Sequence, residues 1–191
     1  MVEDPQLERL KAEARRHARA ARTEAAALDP GACVKVMENF PIEPAALNPI
    51  GSYWPIGSEM DPRPLMAALA KAGRTIALPR AEARDAPVRF LAWDGVVLTP
   101  DAFGAPSPPR EAKEIAPRLV IVPLLAFDRT GGRLGQGGGV YDRTLAALRP
   151  RGVLAIGLAY AAQELDSVPA GPEDQPLDWV ITEQEAIRCG P

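Results

Sequence analysis

Histidine and cysteine are nearly missing from this chain. One histidine, His17, and two cysteines, Cys33 and Cys189, occur in 191 residues. The two thiols stand far apart and lack metal-ligand spacing, so both are expected to be reduced. A single histidine set among arginines excludes a His-based zinc site and leaves a Ser-His-Asp triad only His17 as its base. Aromatic residues make up only 5% of the chain. No apolar run approaches the ~20 residues that a membrane helix needs, and the charged start of the chain is unlike a signal peptide. The net charge of −3 disfavours a nucleic-acid partner. These absences point to a cytoplasmic protein with neither a membrane nor a nucleic-acid partner. What is abundant is apolar side chain, at 47% of residues, enough for one sizeable core and a single domain over residues 1–191.

The apolar pattern alternates between two periods. Leu7, Leu10, Ala14, Ala18, Ala21, Ala25 and Leu28 recur at steps of three and four, which predicts a helix from Pro5 to Leu28. Asp29-Pro30-Gly31 ends it. A second helical stretch is expected around Ala32 to Asn39, a strand from Pro49 to Ile56, and a helix over Pro62 to Ala72 that Gly73 stops. Short strands are expected at Thr75 to Pro79 and Val88 to Trp93. Pro100 to Pro117 reads as a surface connection. Leu119 to Phe127 is a continuous apolar run and reads as one buried strand. Further strands follow at Val153 to Tyr160 and Asp178 to Thr182, separated by a long proline-punctuated loop. Unalternating apolar strands interleaved with helices predict a mostly parallel sheet covered on both faces.

The densest information lies between Arg133 and Arg143. A glycine-rich loop, Arg133-Leu134-Gly135-Gln136-Gly137-Gly138-Gly139-Val140-Tyr141-Asp142-Arg143, stands between the apolar run and a helix start. That order offers bare N–H groups and a positive helix end to an anion. Glycine lets the backbone approach a phosphate closely and allows positive φ. A Walker A ending is absent, and Val140 stands where the third glycine of a dinucleotide fingerprint would fall. A loop needed for flexibility alone is the alternative, but it has no use for the charges of Arg133, Asp142 and Arg143 at its ends.

Three other groups carry possible chemistry. Lys11, Arg15, Arg19 and Arg22 fall within about 80° of one another at ~100° per residue, as a basic stripe opposite the apolar one. Such a stripe is either a solvated face or, at Lys11 and Arg15, a grip on a polyphosphate. Trp54 to Asp61 follows a predicted strand, at the sheet edge where open α/β folds bind ligands. There Trp54 offers a flat surface and Glu59 a hydrogen-bond acceptor; the alternatives are a core Trp and a helix-capping Asp61. Asp174 in Pro172-Glu173-Asp174-Gln175-Pro176 is either a turn residue or, with Asp142, a carboxylate for Mg²⁺ beside a triphosphate.

With these residues in hand, the chain resembles the 5-formyltetrahydrofolate cyclo-ligase family. The resemblance rests on Lys11-x-x-x-Arg15, Trp54-x-x-x-x-Glu59, Pro123 to Asp128, the Arg133–Asp142 loop, and Gly157-Leu158-Ala159 leading to Gln163, Pro169, Asp174 and Thr182. It implies a three-layer α/β/α sandwich like the sugar-phosphate isomerase and CoA-transferase folds. It also implies ATP- and Mg²⁺-dependent closure of 5-formyltetrahydrofolate to 5,10-methenyltetrahydrofolate through a phosphorylated formyl group, with ADP and phosphate released. By matched position Lys11, Arg15 and the loop Arg133, Leu134, Gly135, Gln136, Gly137, Gly138, Gly139, Val140 and Tyr141 would bind ATP. Arg15, Trp54, Glu59 and Gln136 to Val140 would contact the folate, Lys11, Arg15, Glu59 and Arg133 would be catalytic, and Asp142 and Asp174 would hold Mg²⁺. Three positions depart from the family pattern: Gln136 stands where an aromatic residue, Met or His is common, Val140 where an aromatic usually sits, and Glu173 where a His often precedes the metal-binding Asp174. The expected partner is a small-molecule folate, with or without a polyglutamate tail, and the expected state is a monomer. A phosphosugar- or nucleotide-binding regulatory module on the same architecture is the alternative, as is a related ATP-dependent enzyme with a non-folate amide.

Overall fold

The computed structural model describes residues 4–190, so both ends of the span expected as one domain lie outside the described residues. Helix α1 (Pro5–Leu28) begins where Asp4 accepts a 2.9 Å hydrogen bond from the Gln6 N–H and Pro5 takes the first helical position. The carboxylate satisfies one orphan donor and the ring removes another. Helix α2 (Ala32–Asn39) and the single turn α3 (Ile42–Ala45) follow. The strand expected over Pro49 to Ile56 is cut to β1 (Ile50–Gly51). Pro55 has no N–H for a ladder, and the chain from Tyr53 onward leaves the sheet to line a cleft.

Helix α4 (Arg63–Lys71), β2 (Ile76–Arg80) and β3 (Arg89–Ala92) come next. Within the proline-rich connection β4 (Thr99–Pro100) pairs with β5 (Pro106–Ser107). The apolar run read as one strand is two: β6 (Leu119–Pro123) ends at Pro123, and β7 (Ala126–Phe127) turns into an antiparallel hairpin with β8 (Arg133–Leu134). Helix α5 (Val140–Leu148), β9 (Leu154–Leu158), β10 (Trp179–Ile181) and an unanticipated β11 (Ala186–Arg188) complete the chain.

The main sheet has the order β11-β10-β9-β6-β1-β2-β3. The five central strands are parallel, and β3 and β11 close the two edges antiparallel. Because side chains alternate across a strand, β6 feeds two cores. Leu119 and Ile121 face the side packed by Val36 of α2 and Leu65, Met66 and Leu69 of α4. Val120 and Val122 face the side packed by Leu145 of α5. The result is the three-layer sandwich, and each fully buried aliphatic side chain contributes about 1.5–3 kcal/mol.

Helix α1 is packed differently. Ala18 meets Leu125, Ala126, Leu134 and Val168, so the helix lies on the β7–β8 hairpin and its neighbouring loop. This corrects the reading of opposed stripes. The buried residues of α1 are Lys11, Ala18 and Arg22, while Leu10 and Leu28 are 51% and 78% exposed. At ~100° per residue Lys11 and Arg22 fall within about 40° of Ala18, so the basic stripe borders the apolar one and shares its buried face.

The hairpin turn is tied by Asp128. Its Oδ1 accepts from the Thr130 N–H, the Thr130 hydroxyl and the Gly132 N–H at 3.0, 2.6 and 2.9 Å, and its Oδ2 from the Val168 N–H at 2.8 Å. Burial opposes the charge, yet these donors hold the carboxyl below the ordinary range. Gly131 and Gly132 therefore serve this turn and not the anion loop. Gly131 has φ +97°, and an added Cβ would lie 2.5 Å from the Leu177 carbonyl oxygen. Gly131→Ala combines backbone strain with a clash against immobile backbone and is expected to cost about 2 kcal/mol or more. Urea denaturation of the variant against wild type checks this.

Candidate active site

Three chain segments leave the sheet at the same edge. The chain after β1 supplies Tyr53 to Glu59, the chain after β6 supplies Leu124 and the hairpin, and β8 runs through the glycine loop into α5. Between them opens a cleft of about 910 Å³. Every site residue expected from the sequence lines it: Lys11 and Arg15 from α1, Trp54 and Glu59, the unbroken run Arg133 to Asp142, and Asp174 from the last long loop. The connection read as mere surface also reaches it, through Asp101, Phe103, Pro106 and Ser107 around the β4–β5 pair. Its proline-rich composition gave no sign of that.

The loop owes its shape to two positive-φ glycines, Gly137 at 100° and Gly139 at 61°. Gly139 caps α5 in the left-handed conformation and has no side chain to cover the first-turn N–H groups. Those groups and the helix dipole favour an anion. Arginines fix the loop's oxygens. The Arg15 Nε donates to the Gly135 carbonyl at 3.2 Å, Arg19 to the Gln136 side-chain oxygen at 2.7 Å, and Arg143 to the Gly138 carbonyl at 2.7 Å. Arg143 also donates to the Arg84 carbonyl, joining the loop to the chain after β2.

Cations and carboxylates alternate along the cleft floor. Lys11 Nζ lies 2.7 Å from Asp174 Oδ2, which also accepts the Gly171 N–H at 2.6 Å. Arg133 Nη2 lies 2.5 Å from Asp142 Oδ1, which also accepts the Gln175 N–H at 3.0 Å. The turn around Asp174 is thus pinned beside the start of α5. Burial pulls the Arg133 pKa down, while the charges of Asp142 and Asp174 push it up. Both carboxylates therefore act on one guanidinium.

At the other end Trp54 packs edge-on to Trp93 with ring centroids 5.6 Å apart and lies under Arg63 at 5.3 Å. It is at once a core ring and a cleft wall. Asp61 accepts the Arg63 N–H at 2.9 Å just ahead of α4, but the helix's N-cap position is Pro62, so Asp61 is not its cap. Glu59 accepts the Ile56 N–H at 3.0 Å, and burial raises its pKa against that bond and the charge of Arg22. Burial, and then the Glu59 charge, raise the Tyr141 pKa, so its hydroxyl stays protonated.

Among the described residues no group of three or more His, Cys, Asp or Glu is placed to hold a metal. Two carboxylates still suit Mg²⁺, which takes one or two and completes its octahedron with phosphate oxygens and water. The donor set fits a metal that arrives with a phosphate chain.

A mostly parallel open sheet with a cleft at its strand ends, lined by a glycine loop and buried cations, is the architecture of an α/β enzyme. The chain belongs to the 5-formyltetrahydrofolate cyclo-ligase family, whose model matches residues 8–183. It is 34% identical over 145 residues to the 5-formyltetrahydrofolate cyclo-ligase of Mycolicibacterium smegmatis, 71% of this chain and 74% of that protein. It is 38% identical to the Haemophilus influenzae enzyme of the same name over 79 residues, a match spanning 39% of this chain and 42% of that protein. Its fold resembles the solved 5,10-methenyltetrahydrofolate synthetase of Aquifex aeolicus, with TM-score 0.78 and 29% identity over 94% of this chain and 92% of that one.

Proposed function

We propose that this protein closes 5-formyltetrahydrofolate to 5,10-methenyltetrahydrofolate while ATP is converted to ADP and phosphate. The observation that carries the reading is the convergence of the family's loop with Lys11, Arg15, Asp142 and Asp174 on one cleft. A formamide oxygen is a poor leaving group. Attack of that oxygen on the γ-phosphorus of ATP, with ADP leaving, turns it into a good one. The N10 lone pair then attacks the formyl carbon, N10 loses its proton, and phosphate departs with the former formyl oxygen as the ring closes.

Phosphoryl transfer of this kind needs charge neutralisation and alignment more than a strong base. Lys11, Arg15 and Arg133 neutralise the phosphate chain, and the N–H groups from Gly135 to Tyr141 bind its oxygens. When bound, Mg²⁺ on Asp142 and Asp174 would neutralise and orient the transferring phosphate. Glu59 accepts pterin N–H donors, Trp54 stacks beside the ring, and Gln136 to Val140 flank the formyl group. Gln136, tied to Arg19 at 2.7 Å, and Val140 line the pterin side of the loop.

The test is direct. Protein mixed with 5-formyltetrahydrofolate, ATP and Mg²⁺ is expected to generate the methenyl chromophore, and omission of any one should abolish it. Chromophore formation without ATP would overturn the reading, as would equal ATP-dependent consumption of 10-formyltetrahydrofolate.

A further inference from the structure

Arg22 stands three helical turns beyond Lys11 on α1, with 5% of its surface exposed. Its Nε donates to the Ser58 hydroxyl at 3.2 Å and its Nη1 to the Leu124 carbonyl at 3.5 Å. The same Nη1 lies 3.7 Å from Glu59 Oε1. Those partners belong to the two segments that leave β1 and β6 to form the pterin end of the cleft. Glu59 turns its other oxygen, Oε2, to the Ile56 N–H. The Glu59 side chain is only 11% exposed. Burying a guanidinium is costly unless a charge answers it, and a role confined to Ser58 and Leu124 needs a donor but no charge.

We infer that Arg22 is a positioning residue for substrate binding: from behind the cleft it fixes the orientation of Glu59 and keeps its carboxylate ionised to accept the pterin N–H groups. The inference rests on the reading that Glu59 faces a folate. The titratable groups around Glu59 are Arg22 from α1, Tyr53 from the chain after β1 and Tyr141 from α5. Burial, with the Glu59 charge adding to it, keeps both tyrosines protonated and neutral, so Arg22 supplies the compensating charge. Burial raises the Glu59 pKa, and Arg22 opposes it. Without Arg22 the carboxylate takes a proton at a higher pH. A function that needs it ionised is then lost earlier as pH falls.

Arg22→Gln retains a donor for Ser58 and deletes the charge, and Arg22→Lys keeps the charge. NMR titration of ¹³C-labelled glutamate, with the Glu59 signal assigned by its loss in Glu59→Gln, reads the proton affinity without turnover. In Arg22→Gln the Glu59 proton affinity is expected to rise roughly tenfold or more, the effect of losing an opposite charge at such a distance. The acid limb of kcat/KM for 5-formyltetrahydrofolate should move up in pH with it. KM for the folate should rise while KM for ATP stays within about twofold, and Arg22→Lys should recover most of the loss. In a Glu59→Gln background Arg22→Gln should add little, because both act through one carboxylate. An unchanged Glu59 titration in Arg22→Gln overturns the inference. So do equal losses for ATP and folate, or full additivity with Glu59→Gln, which are marks of a structural role. A wild-type protein that makes no methenyl product overturns the folate reading instead, and the NMR titration still reports whether Arg22 sets the charge of Glu59.

Discussion

Lys11→Ala is expected to lower kcat/KM for ATP by roughly 30- to 1,000-fold, the loss of about 2–4 kcal/mol that follows removal of one preorganised charge from a transferring phosphate. The geometry makes Lys11 the strongest case on α1. It is 4% exposed, held on the helix's buried face, and its ammonium already lies 2.7 Å from Asp174 at the cleft floor. An ammonium committed to a carboxylate in this way is fixed before the nucleotide arrives, so little side-chain freedom is lost on binding. Asp174 keeps the Gly171 N–H at 2.6 Å when Lys11 is gone, and its side chain is 23% exposed to water. The variant should therefore fold, with a modest fall in Tm. Lys11→Met, which keeps the apolar stem, separates packing from charge. Its kcat/KM should fall with that of Lys11→Ala while its Tm stays nearer wild type. An unchanged kcat/KM for ATP in both variants returns Lys11 to a structural partner of Asp174.

What the sequence made legible depended on how far each residue's determinants lie along the chain. The bounds of α1 and α2 could be read because periodicity and terminators are local: Pro5 and Asp29-Pro30-Gly31 frame one helix, and the next begins at Ala32. The run from Leu119 to Phe127 could not be divided, since a buried strand and a strand followed by a buried hairpin are equally apolar. The break falls at Leu124 and Leu125, whose carbonyls both accept from the distant Gln163 amide at 2.9 Å, and Asp128 then ties the hairpin turn through Thr130, Gly132 and the distant Val168. β11 was missed because three residues pairing with an edge strand leave no periodic trace.

The candidate site divides the same way. Its glycine loop is contiguous and spoke for itself. That α1 reaches it depends on Ala18 packing against Leu134 and Val168, contacts no spacing reveals. Arg22 was visible as a member of a stripe, but its burial against Ser58, Glu59 and Leu124 was not. A charge on a helix reads as solvated until the partner that buries it is known.

Asp142→Asn and Asp174→Asn should each raise the Mg²⁺ concentration needed for half-maximal turnover, and by more than the roughly 10- to 100-fold that outer-shell partners of a metal site are worth. The two carboxylates come from distant parts of the chain, yet the Gln175 N–H bonds Asp142 at 3.0 Å and so places the Asp174 turn against the start of α5. Each carboxylate now answers a cation, Asp142 to Arg133 and Asp174 to Lys11. With Mg²⁺ and a phosphate chain bound, Asp142 and Asp174 would hold the metal while Lys11 and Arg133 would answer the phosphate, so no charge would be left without a counter-charge. The two variants should differ in stability. Arg133 has a side chain only 3% exposed, so Asp142→Asn leaves a buried guanidinium short of its closest counter-charge and should lower Tm more than Asp174→Asn does. If both aspartates serve one ion, the double variant should lose less than the sum of the single losses. Measured across a Mg²⁺ titration, wild-type behaviour of Asp174→Asn would make that residue a turn former alone and leave the metal to Asp142.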